Sequence, residues 1–342
     1  MHTKEKSRVT LLRVTKRIFD DSIQTVLNPS IYGIIKIMEK VIIILGPTAT
    51  HKTKLSIYLA EQFPVEIISA DSMQFYKGMD IGTDKVNKDI QKRIPHHLID
   101  IVTVQEEFSI AAFKKYTVEL INAILKRNKF PLIVGGSGLY IRSITEGFPV
   151  EVSAPPYKEL REELSKKSLE ELRKMAESID KDAAARIGES DRKRLIRVIE
   201  FFKLTGQKIS TVKNRKMPYE FLKIGLIKER TVLYEDIEER VEKMFDMGFI
   251  DEVRKLKEQY PHWSKTAMQA IGYKEVLQFL NGEITIEQAK EQIKKRTRHL
   301  AKKQVTWFKR EKNVHWIDTT NFEDAKIKAK KLLEAFLYGN TH

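Results

Sequence analysis

The sequence predicts an α/β fold built on a parallel sheet, and three apolar runs of strand length predict it: residues 41–45, 66–70 and 130–134. Each run is followed by a turn and then by residues of helical period, the alternation that lays helices across parallel strands. Ligand sites in such sheets form at the carboxyl ends of the strands. Topology alone therefore brings the segments opening at Gly46, Asp71 and Gly135 to one crevice.

The first of these segments reads Gly46-Pro47-Thr48-Ala49-Thr50-His51-Lys52-Thr53 and runs into the helical pattern Leu55, Ile57, Tyr58, Leu59. This is the layout of a P-loop, in which backbone N–H groups wrap a phosphate, a lysine supplies charge and the next hydroxyl reaches Mg²⁺ or phosphate. Gly46 and Thr48 to Thr53 are accordingly the candidate diphosphate-binding set, with Thr53 directed to the metal. The loop calls for Gly before the lysine, where this chain has His51. Histidine tolerates left-handed backbone angles better than most residues, so the loop is expected to close.

The second segment is Asp71-Ser72-Met73-Gln74-Phe75-Tyr76-Lys77-Gly78-Met79-Asp80-Ile81-Gly82-Thr83, and the third is Gly135-Gly136-Ser137-Gly138-Leu139-Tyr140. In this order, after the P-loop, they closely resemble the tRNA dimethylallyltransferase (tRNA isopentenyltransferase) family. The resemblance runs from about Met38 to the chain end and takes in Ile94-Pro95-His96-His97-Leu98, Asp191-Arg192-Lys193-Arg194-Leu195-Ile196-Arg197, Ile271-Gly272-Tyr273-Lys274-Glu275 and Gln304-Val305-Thr306-Trp307-Phe308. It implies a P-loop NTPase-like core with a helical insertion, Mg²⁺ as cofactor, and two substrates: dimethylallyl diphosphate and the tRNA anticodon stem-loop. The implied reaction moves a dimethylallyl group to N6 of the adenosine immediately 3′ of the anticodon. It requires that the departing diphosphate be stabilised, the amine lose a proton, and water be excluded.

The resemblance also assigns roles. Asp71 is the general base, though its place after a strand equally suits a helix cap or a metal ligand. Ser137 stands where the family has Thr and holds the amine or a phosphate oxygen. Arg240 reaches the diphosphate from a helix; its other reading is an i,i+4 partner for Asp236. The family often has a second arginine at position 236, which this chain lacks. Ser72, Met73 and Gln74 complete the RNA-facing set beside Asp71 and Ser137, with Gln74 able to pair with adenine N6 and N7. Lys193, Arg194 and Arg197 match contacts to the anticodon arm. Trp307 and Phe308 are read as core.

Charge distribution supports an RNA partner. Lys and Arg total 62 against 47 Asp and Glu, a net of +15. Residues 192–216 hold nine basic residues against Glu200, and residues 290–310 hold nine against Glu291, so two segments exceed the whole surplus. Concentrated positive charge attracts a phosphate backbone through counterion release. The chain has no cysteine, which excludes disulfides and thiolate metal sites. No apolar run approaches membrane-span length; a cytoplasmic monomer is expected. His96 and His97 are adjacent, and on a strand they point to opposite faces, so packing and hydrogen bonding suit them better than metal.

Three regions follow. Residues 1–37 read as a detachable N-terminal extension. Residues 38–149 and 221–342 form the P-loop core with C-terminal helices, including a returning strand at 221–227, helices at 234–260, 266–281 and 286–308, and a short strand near 314–317. Residues 150–220, opened by Pro155-Pro156, form a helical insertion that grips the anticodon arm. Three rivals stand beside this reading: an adenylate isopentenyltransferase acting on free nucleotide, a P-loop nucleotide-driven motor or kinase, and a non-catalytic RNA-binding protein. The chain shows no clear Walker-B aspartate after Val134.

Overall fold

The computed structural model describes residues 38–147 and 158–339. Residues 1–37 and the Pro155-Pro156 boundary lie outside the described residues. Six strands form one parallel sheet in the order β3-β2-β4-β1-β5-β6: β1 (Glu39–Leu45), β2 (Val65–Ser69), β3 (His96–His97), β4 (Phe130–Gly135), β5 (Tyr219–Ile227) and β6 (Val314–Asp318). The central strands are apolar and buried over residues 41–45 of β1 and 131–135 of β4 because helices cover both faces. Ile42 and Ile44 pack with Leu55 and Leu59 of α1 (Lys52–Gln62) and with Leu333 of α13 (Phe322–Tyr338). Val41, Ile43 and Leu45 pack on the other face with Phe113 and Ile121 of α3 (Ile110–Lys126).

Register aligns the loops that matter. Leu45 pairs with Gly135 and Ser69 with Val134, so the three segments leave neighbouring strands at one level. Gly46, at φ +151°, leaves β1 where an added Cβ would stand 2.5 Å from the Leu226 carbonyl oxygen, so glycine is required there. In β3 the two histidines act as polar packing. His97 Nε2 lies 2.7 Å from Glu66 Oε2, and His96 Nδ1 lies 2.7 Å from the Ile94 oxygen. Burial alone would raise the Glu66 pKa, but hydrogen bonds from Arg127, His97 and Lys129 hold it down at about 2.

The remaining helices between β2 and β5 are α2 (Lys88–Arg93), α4 (Gly138–Thr145), α5 (Lys158–Ser165), α6 (Leu169–Ile179), α7 (Lys181–Ala185) and α8 (Arg192–Thr205). The last four share an apolar cluster of their own, including Leu160, Leu172, Leu195 and Ile199. After β5 come α9 (Arg230–Asp246), α10 (Phe249–Gln259), α11 (Tyr273–Leu280) and α12 (Ile286–Phe308). The span 234–260, expected as one helix, is two. Gly248 at φ +91° is left-handed and breaks it, and Phe249 then turns into a cluster with Tyr273 and Val253. The span 266–281 is likewise only a 3₁₀ turn at Ala267–Gln269 followed by α11, because Gly272 takes φ +100°. The expected helix at 286–308 forms as read, opened by a Thr285–Gln288 capping box.

Candidate active site

A cleft of about 1130 Å³ opens where β1, β2 and β4 end, lined by Thr48 to Lys54, Asp71 to Gln74, Asp80 to Lys88, Gly136 to Tyr140, and residues of α9 and α12. Ala49 and His51 both take positive φ, 62° and 60°, curling the loop back so that α1 starts with its N-terminus toward the cleft. That end carries the helix's unpaired N–H groups and its partial positive charge, which suits an anion.

Lys52 Nζ lies inside the curl and donates to the Pro47 carbonyl at 2.6 Å. Burial pulls its pKa from 10.5 to about 8; the Asp71 carboxylate opposes that shift, Arg240 adds to it and Asp84 opposes it. Lysine, aspartate and arginine thus interact across one small space. Arg240 of α9 donates from Nη1 to Thr48 Oγ1 at 3.0 Å and approaches Asp84 Oδ2 at 3.5 Å. Its alternative as a partner of Asp236 does not hold, because Asp236 pairs with Lys228. Lys228, only 3% exposed, also stands 3.0 Å from His51 Nε2. With the ammonium as donor, His51 is neutral and carries its proton on Nδ1. Burial first, then Lys228 and Lys54, push its pKa down, with Asp236 and Asp84 opposing.

Asp71 follows β2 and accepts from the Met73 N–H at 3.0 Å, a turn that fixes one carboxylate oxygen. Gln74 is more committed than expected. Its Oε1 accepts from Ser69 at 2.9 Å and its Nε2 donates to the Thr83 oxygen at 3.2 Å, so it ties the two halves of the loop together. Ser137 precedes α4 without making a capping hydrogen bond. Ser72 and Met73 line the cleft beside it.

Other expectations change. Trp307, read as core, packs partly buried against the core cluster of Val41 and Phe113 and also lines the cleft, lying against Gly138, where an added Cβ would come 2.2 Å from the indole. Phe308 is fully buried as expected. The Thr48 N–H, expected to face phosphate, donates to Gln304 Oε1 at 2.9 Å. In α8, Lys193 and Arg194 are exposed, with Arg194 3.2 Å from Asp191, whereas Arg197 is turned to the buried Glu200 at 2.7 Å.

Two residues received no role from the sequence. Gln304, although quoted in the motif 304–308, is one; Glu252 of α10 is the other. The Glu252 carboxylate accepts from the N–H groups of Asp80, Ile81 and Gly82 at 3.1, 2.7 and 3.4 Å and from the Tyr273 hydroxyl at 2.6 Å. It anchors the loop that carries Thr83 and Asp84 into the cleft. A carboxylate among three successive N–H groups leaves no local sequence signal.

A P-loop-like turn, the cations Lys52 and Arg240, and the Asp71 carboxylate meet at the ends of parallel strands, the layout of a P-loop-type α/β fold. Comparison with known proteins narrows the class. The family profile described as IPP transferase matches residues 74–311. A tRNA dimethylallyltransferase of Natranaerobius thermophilus is 40% identical over 304 residues, covering 86% of this chain and 91% of the relative. One from Carboxydothermus hydrogenoformans is 43% identical, covering 87% and 97%. The crystal structure of a Bacillus halodurans tRNA isopentenylpyrophosphate transferase superposes with a TM-score of 0.66 at 38% identity, over 87% of this chain and 97% of that one. A eukaryotic dimethylallyltransferase acting on tRNA gives 0.76 at 28% identity, over 87% and 78%. The chain belongs to the tRNA dimethylallyltransferase (IPP transferase) family.

Proposed function

We propose that the chain transfers a dimethylallyl group from dimethylallyl diphosphate to N6 of the adenosine immediately 3′ of the anticodon in tRNA. The observation that carries this reading is the meeting of Lys52, Arg240 and Asp71 in one cleft. The N6–carbon bond forms as the carbon–oxygen bond to diphosphate breaks. The bonding electrons leave with the diphosphate, toward Lys52, Arg240 and the N-terminus of α1, and Asp71 takes the amine proton. Cations aimed at the developing negative charge are the largest source of such acceleration. The Ser137 hydroxyl, not used as a helix cap, is free to orient the amine or a phosphate oxygen.

Among the described residues no three His, Cys, Asp or Glu side chains cluster as a metal site. Thr53 lines the cleft beside Lys52, where its hydroxyl would be the protein ligand of a Mg²⁺ held mainly by substrate phosphate oxygens and water. Bound there, the ion would neutralise diphosphate charge. No helix among the described residues is long and apolar enough to cross a membrane; a cytoplasmic monomer completes the proposal.

The test is transfer of labelled dimethylallyl to an anticodon stem-loop with adenosine at the target position, beside the same RNA with inosine and beside AMP. Label on the adenosine RNA alone is the expected result. Label on AMP but not on RNA would transfer the reading to a free-nucleotide enzyme.

A further inference from the structure

The helix that carries the second basic segment also reaches into the cleft with one uncharged side chain. Gln304 of α12 accepts from the Thr48 N–H through Oε1 at 2.9 Å and donates through Nε2 to the Gly136 carbonyl at 3.0 Å. The two partners settle the orientation of the amide, since an N–H must meet oxygen and a carbonyl must meet the NH₂ group. The amide packs directly on Gly136, where an added Cβ would stand 2.5 Å from Gln304 Nε2 and displace it. One turn later, Trp307 lies against Gly138. The turn bearing Ser137 is therefore held at both ends by α12.

We infer that Gln304 is a positioning residue for the transfer: its single amide sets the diphosphate loop and the Ser137 turn relative to each other. The chain of contacts runs from the Gly136 carbonyl through Gln304 to Thr48, and from the Thr48 hydroxyl to Arg240. Thr48 spends its N–H on this link, so its contribution to the anion site is to hold the loop and to present the Arg240 guanidinium. Because β1 and β4 are neighbours, the two loops start side by side, yet the only side chain we find hydrogen-bonded to both among the described residues is Gln304. A glutamate here would keep the Thr48 bond and set a carboxylate against the Gly136 carbonyl. A methionine would fill the same space and lose both bonds.

This inference rests on the proposed reaction, and the experiment separates the two. Pyrophosphate affinity is measured by calorimetry on the full chain, alongside steady-state transfer kinetics, stem-loop affinity and thermal melting, for wild type and Gln304→Met. The expected result is a rise of roughly tenfold in both the pyrophosphate Kd and the KM for dimethylallyl diphosphate, the equivalent of one to two neutral hydrogen bonds. Stem-loop affinity should stay within twofold and kcat should change less than kcat/KM. Should Gln304→Met not fold, Gly136→Ala, which displaces the amide from the other side, must produce the same split. Pyrophosphate binding within twofold of wild type in a folded variant overturns the inference, as does a parallel loss of pyrophosphate binding, stem-loop binding and melting temperature. A wild type that binds pyrophosphate but transfers nothing would instead overturn the proposed reaction.

Discussion

Lys52 bears its charge in an enclosed place, so its ionisation enters function directly. With a pKa near 8, it is a cation below that pH and loses its proton above it. The free enzyme should then lose affinity for dimethylallyl diphosphate as pH climbs past about 8, seen as a falling kcat/KM. In Lys52→Arg the guanidinium stays charged, and the alkaline fall should vanish whatever the absolute rate; its persistence would assign the titration to another group. His51 gives a second residue-scale prediction. Its pKa lies below the usual 6.5 in the folded chain, so the unfolded chain binds more protons as pH drops through that value. The stability His51 contributes is intact above about pH 6.5 and lost below it. His51→Gly, which suits φ 60°, should leave transfer within a few-fold and make melting less sensitive to acid. Loss of transfer would make the imidazole a phosphate or proton partner. The loop itself was legible because its residues are contiguous. Gln304 was not, since its partners lie 256 and 168 positions away.

Helix α8 shows how an element divides residues that sequence spacing puts together. Arg194 and Arg197, three apart, were expected to grip RNA jointly. In the structure Arg194 is exposed, while Arg197 and Arg161 neutralise Glu200, whose carboxylate is fully buried. The two substitutions should separate. Arg194→Ala should lower the salt slope of tRNA binding by roughly 0.7 to 0.9 units and leave melting unchanged. Arg197→Ala should cost about 1.5 to 3 kcal/mol of stability, the worth of a hydrogen bond to a charged group, with a smaller effect on the slope. Equal slopes for Arg194→Ala and wild type would move the RNA surface off this helix. The helices of the C-terminal half were half legible. The span 286–308 formed as one helix, but residues 234–260 kept an apolar period across Gly248 that concealed the break.

At the scale of the whole molecule, the two basic segments looked unmixed because only neighbours in sequence were counted. In the fold, Lys290 and Lys294 meet Glu242, Arg298 meets Glu238, and Arg296 meets the buried Glu275. Acidic residues of α9 and α11 thus use part of the charge to bind helices together. Lys295, Lys302, Lys303, Lys309 and Arg310 remain on the exposed surface. The three central strands, by contrast, were readable in advance, since strands buried on both faces are largely apolar. Parallel topology then fixed where their ends converge.

The central claim is that this convergence joins a diphosphate cradle to a proton acceptor, and Asp71→Ala tests it most directly. The measurement is single-turnover transfer to a saturating adenosine stem-loop, with pyrophosphate and stem-loop affinities determined on the same protein. Transfer should fall by about two to four powers of ten, the usual worth of general-base catalysis, while both affinities stay within a few-fold. Transfer retained within a few-fold of wild type would contradict the account and make Asp71 a structural cap of its turn.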